Sequence, residues 1–224
     1  MSIRRRMPDG LPVPPDASRM VAEQLRGRDV EDERVLAAMK RVPRELFVPP
    51  ELAGHAYEDA ALPIGFGATI SQPYMVARIC EALALHGRER VLDVGTGSGY
   101  QAAVLAELAA EVDTIERVPE LAAQARANLD AAGYERVRVH VGDGTLGVPD
   151  RAPFDAIAVA AAAPELPQTL YGQLAERGRL VLPIGVREAQ ELQVIVRSPE
   201  GPAVLRSVPC RFVPLLGEEG FSNP

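Results

Sequence analysis

The chain has 224 residues, 47% of them hydrophobic and 25% charged, so it can bury a sizeable core and is not a disordered segment. A formal charge of −7, no Trp and 4% aromatic residues argue against nucleic acid, whose phosphates need clustered positive charge and whose bases need stacking platforms. The basic N-terminus lacks a signal-peptide apolar run, no window is long enough to span a bilayer, and Cys80 and Cys210 stand outside any ligand spacing, so a reduced, cytoplasmic protein without a membrane partner is expected.

Residues 1–17 are rich in Arg and Pro and aperiodic, and are expected to be a flexible arm ahead of a single domain over 18–224. Two helical stretches are predicted over 18–42, where Met20, Val21 and Leu25, then Val35, Leu36 and Met39, fall at helical spacing. Pro63, Gly65 and Gly67 make 57–70 irregular to extended. Ser71 opens a predicted helix through Met75, Ile79, Cys80 and Leu83, which closes an N-terminal region over 18–85. From 86 to the end, short apolar runs alternate with helices. Strands are predicted over 90–94, 111–115, 137–141 and 155–159, with helices over 99–108, 119–132 and 168–175. Strands over 179–183, 191–197 and 204–213 close the chain without intervening helices. The pattern predicts an α/β fold: a doubly wound, Rossmann-like sandwich with a mostly parallel sheet, an antiparallel edge and added N-terminal helices.

Ligands of open α/β sheets bind beyond the C-terminal strand ends. After the first core strand come Gly95-Thr-Gly-Ser-Gly99, glycines that let the backbone turn tightly and approach a ligand, with Thr96 and Ser98 between them. Glu116 ends the second strand, where a carboxylate can accept from a ribose diol. Asp143 and Gly144 follow the third, where a carboxylate can accept from an adenine amino group. A dinucleotide fingerprint would need its third glycine at Tyr100, and Asp93 is an acid where such strands are apolar. An acid at Asp93 suits the positively charged amino-acid end of S-adenosyl-L-methionine, and the three strand ends together point to that cofactor.

The blocks Arg41-Val-Pro-Arg-Glu-Leu-Phe-Val-Pro49, Leu62-Pro-Ile-Gly65, Ala68-Thr-Ile-Ser-Gln-Pro-Tyr-Met75 and Gly178-Arg-Leu-Val-Leu-Pro-Ile-Gly185 resemble protein-L-isoaspartate O-methyltransferases from about Ser18 to the end. The Thr-Ile-Ser-Gln-Pro block is the discriminating one. The resemblance implies an enzyme that methylates the α-carboxylate of isoaspartyl residues in damaged proteins and peptides, acting as a monomer and leaving S-adenosyl-L-homocysteine. It implies Ser71 as the active-site residue orienting the substrate carboxylate, with Thr69, Ile70 and Gln72 on the substrate side and Val213 offering backbone hydrogen bonds to a peptide. Read without the resemblance, Ser71 is a helix N-cap more readily than a catalytic group. A carboxylate acceptor is ionised at neutral pH and needs no general base, and Ala160-Ala-Ala-Ala-Pro164 replaces the loop typical of amine-directed methyltransferases. Alternatives are a dedicated modifier of aspartate in one ribosomal peptide, a nicotinamide oxidoreductase, and a non-catalytic cofactor-binding partner.

Overall fold

A computed structural model describes residues 14–222. The expected arm lies outside those residues up to position 13; its last positions begin a helix, α1 (Pro15–Met20), because Ala17 and Met20 have a core to enter. A π-helical turn, Val21–Arg26, continues it. Asp32 caps the next helix, α2 (Glu33–Arg41), accepting from the backbone N–H groups of Arg34 at 2.8 Å and Val35 at 3.4 Å. The segment read as irregular holds a small antiparallel hairpin, β1 (Leu62–Gly65) and β2 (Ala68–Ile70), whose turn places Phe66 at φ 53° between two left-handed glycines. After α3 (Pro73–Leu83), the alternating core follows as β3 (Arg90–Val94), α4 (Tyr100–Leu108), β4 (Glu111–Glu116), α5 (Pro119–Ala131), β5 (Arg138–Val141), β6 (Phe154–Val159) and α6 (Gln168–Gly172). It closes with β7 (Leu174–Val186), β8 (Ala189–Ser198) and β9 (Gly201–Cys210).

These seven strands form one sheet in the order β5-β4-β3-β6-β7-β8-β9. Pairing is parallel from β5 to β7 and antiparallel from β7 to β9, as the loss of intervening helices predicts. Strand alternation sorts the core. Val91, Ala156 and Ala158 face α3 and α4, whereas Leu92, Val94, Ile157 and Val159 face α6 and the loops around it. Small alanines on β6 let α3 lie close to the sheet, and seven of the nine residues of α4 are buried between the sheet and α2. Each fully buried Leu, Ile or Val contributes about 1.5–3 kcal/mol by leaving water. Met20, Leu25 and Val35 from the N-terminal helices share that core with Leu105, which joins the two regions read from the sequence.

Several boundaries differ from expectation by a few residues, most of them in the last third of the described chain. The helix over 168–175 stops at Gly172, and β7 starts at Leu174, since Leu174 pairs with Phe154 before a bulge restores register. The polar run Glu176-Arg-Gly178 hides this start by breaking the apolar alternation. The last strand ends at Cys210 rather than 213, because the chain then turns under the sheet, where Val213 O accepts from Ala162 N at 2.8 Å. No helix among the described residues is long and apolar enough to cross a membrane.

Candidate active site

A cleft of about 260 Å³ opens beyond the C-terminal ends of β3 and β4. Its floor is the glycine turn, the β1–β2 hairpin forms one wall, and the 213–216 segment closes the other side. This is the switch point of the sheet, where β4 and β5 follow β3 on one side and the chain then crosses back to place β6 on the other.

The turn is fixed before any ligand arrives. Gly95 N and Thr96 N both donate to Ile115 O, at 3.0 and 3.2 Å, so the loop folds over the end of β4. Gly97 and Gly99 hold φ of 54° and 91°, conformations a side chain would strain. A Cβ on Gly99 would also meet Leu129 at 3.1 Å, so this glycine lets α4 dock on α5. Glu116, 7% exposed, accepts from Gly97 N through one oxygen and from Val118 N through the other, both at 3.0 Å. Each oxygen keeps an acceptor site, so a carboxylate locked in place borders the cleft. Gly144 brings backbone to the same cleft, where a Cβ would overlap Val94 at 2.8 Å.

Asp93 does not reach the cleft as expected. It has no exposed surface and lies beneath the turn, accepting from Gln101 Nε2 at 2.7 Å and Thr114 Oγ1 at 3.0 Å. Desolvation pushes its pKa up to about 6, opposed by those two hydrogen bonds. Asp143 also holds its own loop: it accepts from Thr145 N and Oγ1 at 2.9 and 2.7 Å and from Glu218 N at 2.8 Å, which ties the C-terminal segment down beside Gly144. Desolvation pulls its pKa upward, but the hydrogen bonds from Thr145 and Glu218 outweigh it and hold the carboxyl below its usual value.

Thr69, Ile70 and Ser71 line the cleft together, with Val213 across from them. Ser71 is not a helix cap. The N-cap of α3 is Gln72, no side chain caps it, and the helix starts at Pro73, so the Ser71 hydroxyl has no protein partner among the described residues. Gln72 turns away to donate to Asp59 Oδ1 at 3.2 Å, and Asp59 in turn pairs with Arg28 at 3.0 Å. Gly99 sits behind the turn rather than on the cleft. Val213 has its N–H without a partner among the described residues, while its carbonyl accepts from Ala162.

Sequence reasoning missed two side chains. Arg44 has no exposed surface and donates to Ala56 O at 2.7 Å and Ser71 O at 2.8 Å, with its guanidinium 4.6 Å over the Tyr100 ring. No carboxylate pairs with it among the described residues, its Nη1 has no partner, and desolvation pulls its pKa down. An arginine between Pro43 and the apolar Leu46-Phe-Val48 was the available signal. Gln101, on the first turn of α4, lines the cleft and carries a buried Oε1 without a partner. Nothing but its place after the glycine turn marked it. Locked acceptor, glycine cradle and unpartnered amide oxygen together suit a nucleoside bearing a cationic tail.

Comparison with known proteins agrees in kind. Residues 16–220 match the family model described as protein-L-isoaspartate(D-aspartate) O-methyltransferase. A Marinobacter nauticus protein named protein-L-isoaspartate O-methyltransferase 2 is 59% identical over 204 residues, covering 90% of this chain and 93% of its own. A Methanoculleus marisnigri protein-L-isoaspartate O-methyltransferase is 53% identical, covering 91% and 93%. Among solved structures, a beta-aspartate methyltransferase (PCMT) from Plasmodium falciparum, in complex with S-adenosyl-L-homocysteine, superposes with a TM-score of 0.75 at 29% identity, covering 90% of this chain and 98% of its own.

Proposed function

The chain belongs to the protein-L-isoaspartate(D-aspartate) O-methyltransferase family, and we propose that it uses the cleft between the glycine turn and Ser71 to methylate the α-carboxylate of L-isoaspartyl residues in damaged proteins and peptides. S-adenosyl-L-methionine, when bound, supplies a methyl group on a sulfonium, whose transfer to a carboxylate oxygen breaks the methyl–sulfur bond and leaves S-adenosyl-L-homocysteine. The ester then closes to a succinimide as the neighbouring backbone nitrogen displaces methanol.

The residues have little chemistry to perform beyond placement. A carboxylate acceptor with an ordinary pKa of about 4 arrives ionised, so no base is needed. Ser71 carries the reading: its hydroxyl borders the cleft, is not spent on capping α3, and has its own carbonyl pinned by Arg44. It donates to one oxygen of the substrate carboxylate and leaves the other free to react. Thr69 and Ile70 shape the approach, and Val213 N–H faces the substrate backbone from across the cleft. Glu116 takes the ribose hydroxyls with the lone pairs that Gly97 and Val118 leave open, and Gly144 brings backbone to the base. Ala160 and Ala161 offer an amine no side-chain acceptor, which favours a carboxylate substrate. In-line placement in such a cleft removes up to about 7–11 kcal/mol of barrier.

We place the reaction in the cytoplasm, on a monomer without nucleic-acid or membrane partners; the charge of −7 supports the lack of a nucleic-acid partner. Mass spectrometry of an isoaspartyl peptide incubated with S-adenosyl-L-methionine tests the chemistry. A methylated product that decays with loss of methanol to a succinimide is expected. A stable methylated product would contradict carboxylate methylation.

A further inference from the structure

Gln101 is the second residue of α4, just past the glycine turn, and is 6% exposed. Its side-chain nitrogen donates to Asp93 Oδ1 at 2.7 Å, and Thr114 Oγ1 donates to the other Asp93 oxygen at 3.0 Å. Thr114 Oγ1 also shares a 2.7 Å hydrogen bond with Thr96 Oγ1, and Thr96 borders the cleft. An ionised carboxylate offers acceptors only, so this chain of contacts decides which way the amide lies. Nitrogen faces Asp93, and oxygen faces away from it. That oxygen, Oε1, is buried without any hydrogen-bond partner among the described residues, on a residue that lines the cleft. A buried amide oxygen without a donor is a costly feature unless a ligand or a water supplies the donor.

We propose that Gln101 Oε1 receives the ammonium group of the cofactor's amino-acid end, and that Asp93 acts on the cofactor only through Gln101. This rests on the reading of the cleft as a site for S-adenosyl-L-methionine. The chemistry matches on each side of the amide. An ammonium carries donors and no acceptor, which is what an unpartnered carbonyl oxygen lacks. Donation from Nε2–H to a buried anion polarises the amide and concentrates negative charge on Oε1. Glu116 is committed to the turn through Gly97 and Val118, and its remaining lone pairs go to the ribose hydroxyls in the reading above, which leaves the ammonium to another acceptor. Asp93 thus presents its charge as a dipole at the cleft while remaining sealed beneath it. Gln101 is a binding residue for the cofactor and Asp93 its positioning residue.

Calorimetry with three probes tests this: S-adenosyl-L-homocysteine, its analogue lacking the amino group, and 5′-methylthioadenosine, which lacks the whole amino-acid end. In Gln101→Met, which keeps the length but removes the acceptor, S-adenosyl-L-homocysteine should bind about tenfold more weakly or worse. Methylthioadenosine and the deaminated analogue should bind as they do to the parent, within about twofold. Equal weakening of all three probes would make Gln101 a support for the whole cleft and overturn the proposal, as would unchanged binding of all three. Asp93→Asn is the second arm should the Met variant fail to fold. Asn can donate to Oε1 and occupy it, so selective loss of S-adenosyl-L-homocysteine binding is again expected, and no loss overturns the relay. A parent protein that binds neither S-adenosyl-L-homocysteine nor methylthioadenosine would overturn the cofactor reading itself, which the variant comparison does not.

Discussion

Arg44 donates from Nη2 to the carbonyl oxygen of Ser71 at 2.8 Å, from a side chain with no exposed surface. The same guanidinium donates to Ala56 O at 2.7 Å, so one buried cation ties the segment before β1 to the residue that faces the substrate. Lysine keeps the charge but not the fork, and would leave at least one of the two carbonyls without its donor. Arg44→Lys should therefore lower unfolding stability by about 1–3 kcal/mol in denaturant titrations. Turnover should fall as well, with the affinity for S-adenosyl-L-homocysteine preserved. A variant equal to the parent in both stability and turnover would show that Arg44 does not hold Ser71.

Ser71 itself should separate chemistry from cofactor binding. Removing its hydroxyl takes one donor from the substrate carboxylate without touching the glycine turn, which contacts it nowhere in the hydrogen-bond network. Steady-state rates of Ser71→Ala should drop about 10- to 100-fold, in line with lost orientation of the reacting group. Affinity for S-adenosyl-L-homocysteine should change by no more than about twofold. A large loss of that affinity would place Ser71 on the cofactor side.

Glu116 predicts the opposite split. Its carboxylate borders the cleft while gripping Gly97 N and Val118 N, so truncation removes a ligand contact and loosens the turn together. Glu116→Ala should weaken S-adenosyl-L-homocysteine by about 1.5–3 kcal/mol, the range for hydrogen bonds to a charged group. Unaltered affinity by calorimetry would remove Glu116 from the ribose.

Asp93 makes a pH-dependent prediction. Desolvation raises it from the ordinary 3.8 to about 6, against hydrogen bonds from Gln101 and Thr114, with the nearby Glu116 charge adding to the rise. The folded state thus holds the Asp93 proton more tightly than the unfolded chain does. The stability linked to this is complete below about pH 4 and is lost as pH rises through about 6. Asp93→Asn is spared that loss. Its melting temperature should exceed the parent's at pH 8, by the equivalent of up to about 3 kcal/mol, and the gap should narrow below about pH 6 and close toward about pH 4. A gap that stays constant with pH would mean that Asp93 ionises without penalty.

The sequence made the fold and half the site readable for identifiable reasons. Apolar β3 and β6, with helices between strands, left one economical arrangement, and Gly95, Gly97, Glu116 and Gly144 lie at strand ends where the sheet must present them. What stayed hidden depends on side-chain direction. Asp93 reads as a cleft acid because it stands two residues before the glycine turn, but strand alternation turns it toward α4, where Gln101 and Thr114 cover it. Asp143 reads as a base contact, and its further hydrogen bond from Glu218 N, which anchors the tail returning from the far edge of the sheet, left no mark in the sequence. Arg44 had no sequence role because its partners are carbonyls 12 and 27 residues away, and backbone acceptors leave no residue-type signature. Ser71 reads as an N-cap until Gln72 is seen to hold that place.

Methyl transfer from labelled S-adenosyl-L-methionine to a matched pair of peptides, one with aspartate and one with isoaspartate at the same position, tests the central claim most directly. An α-carboxylate placed by Ser71 beside the cofactor predicts label in the isoaspartyl peptide and background in its partner. Equal labelling of both peptides, or of neither, would contradict it.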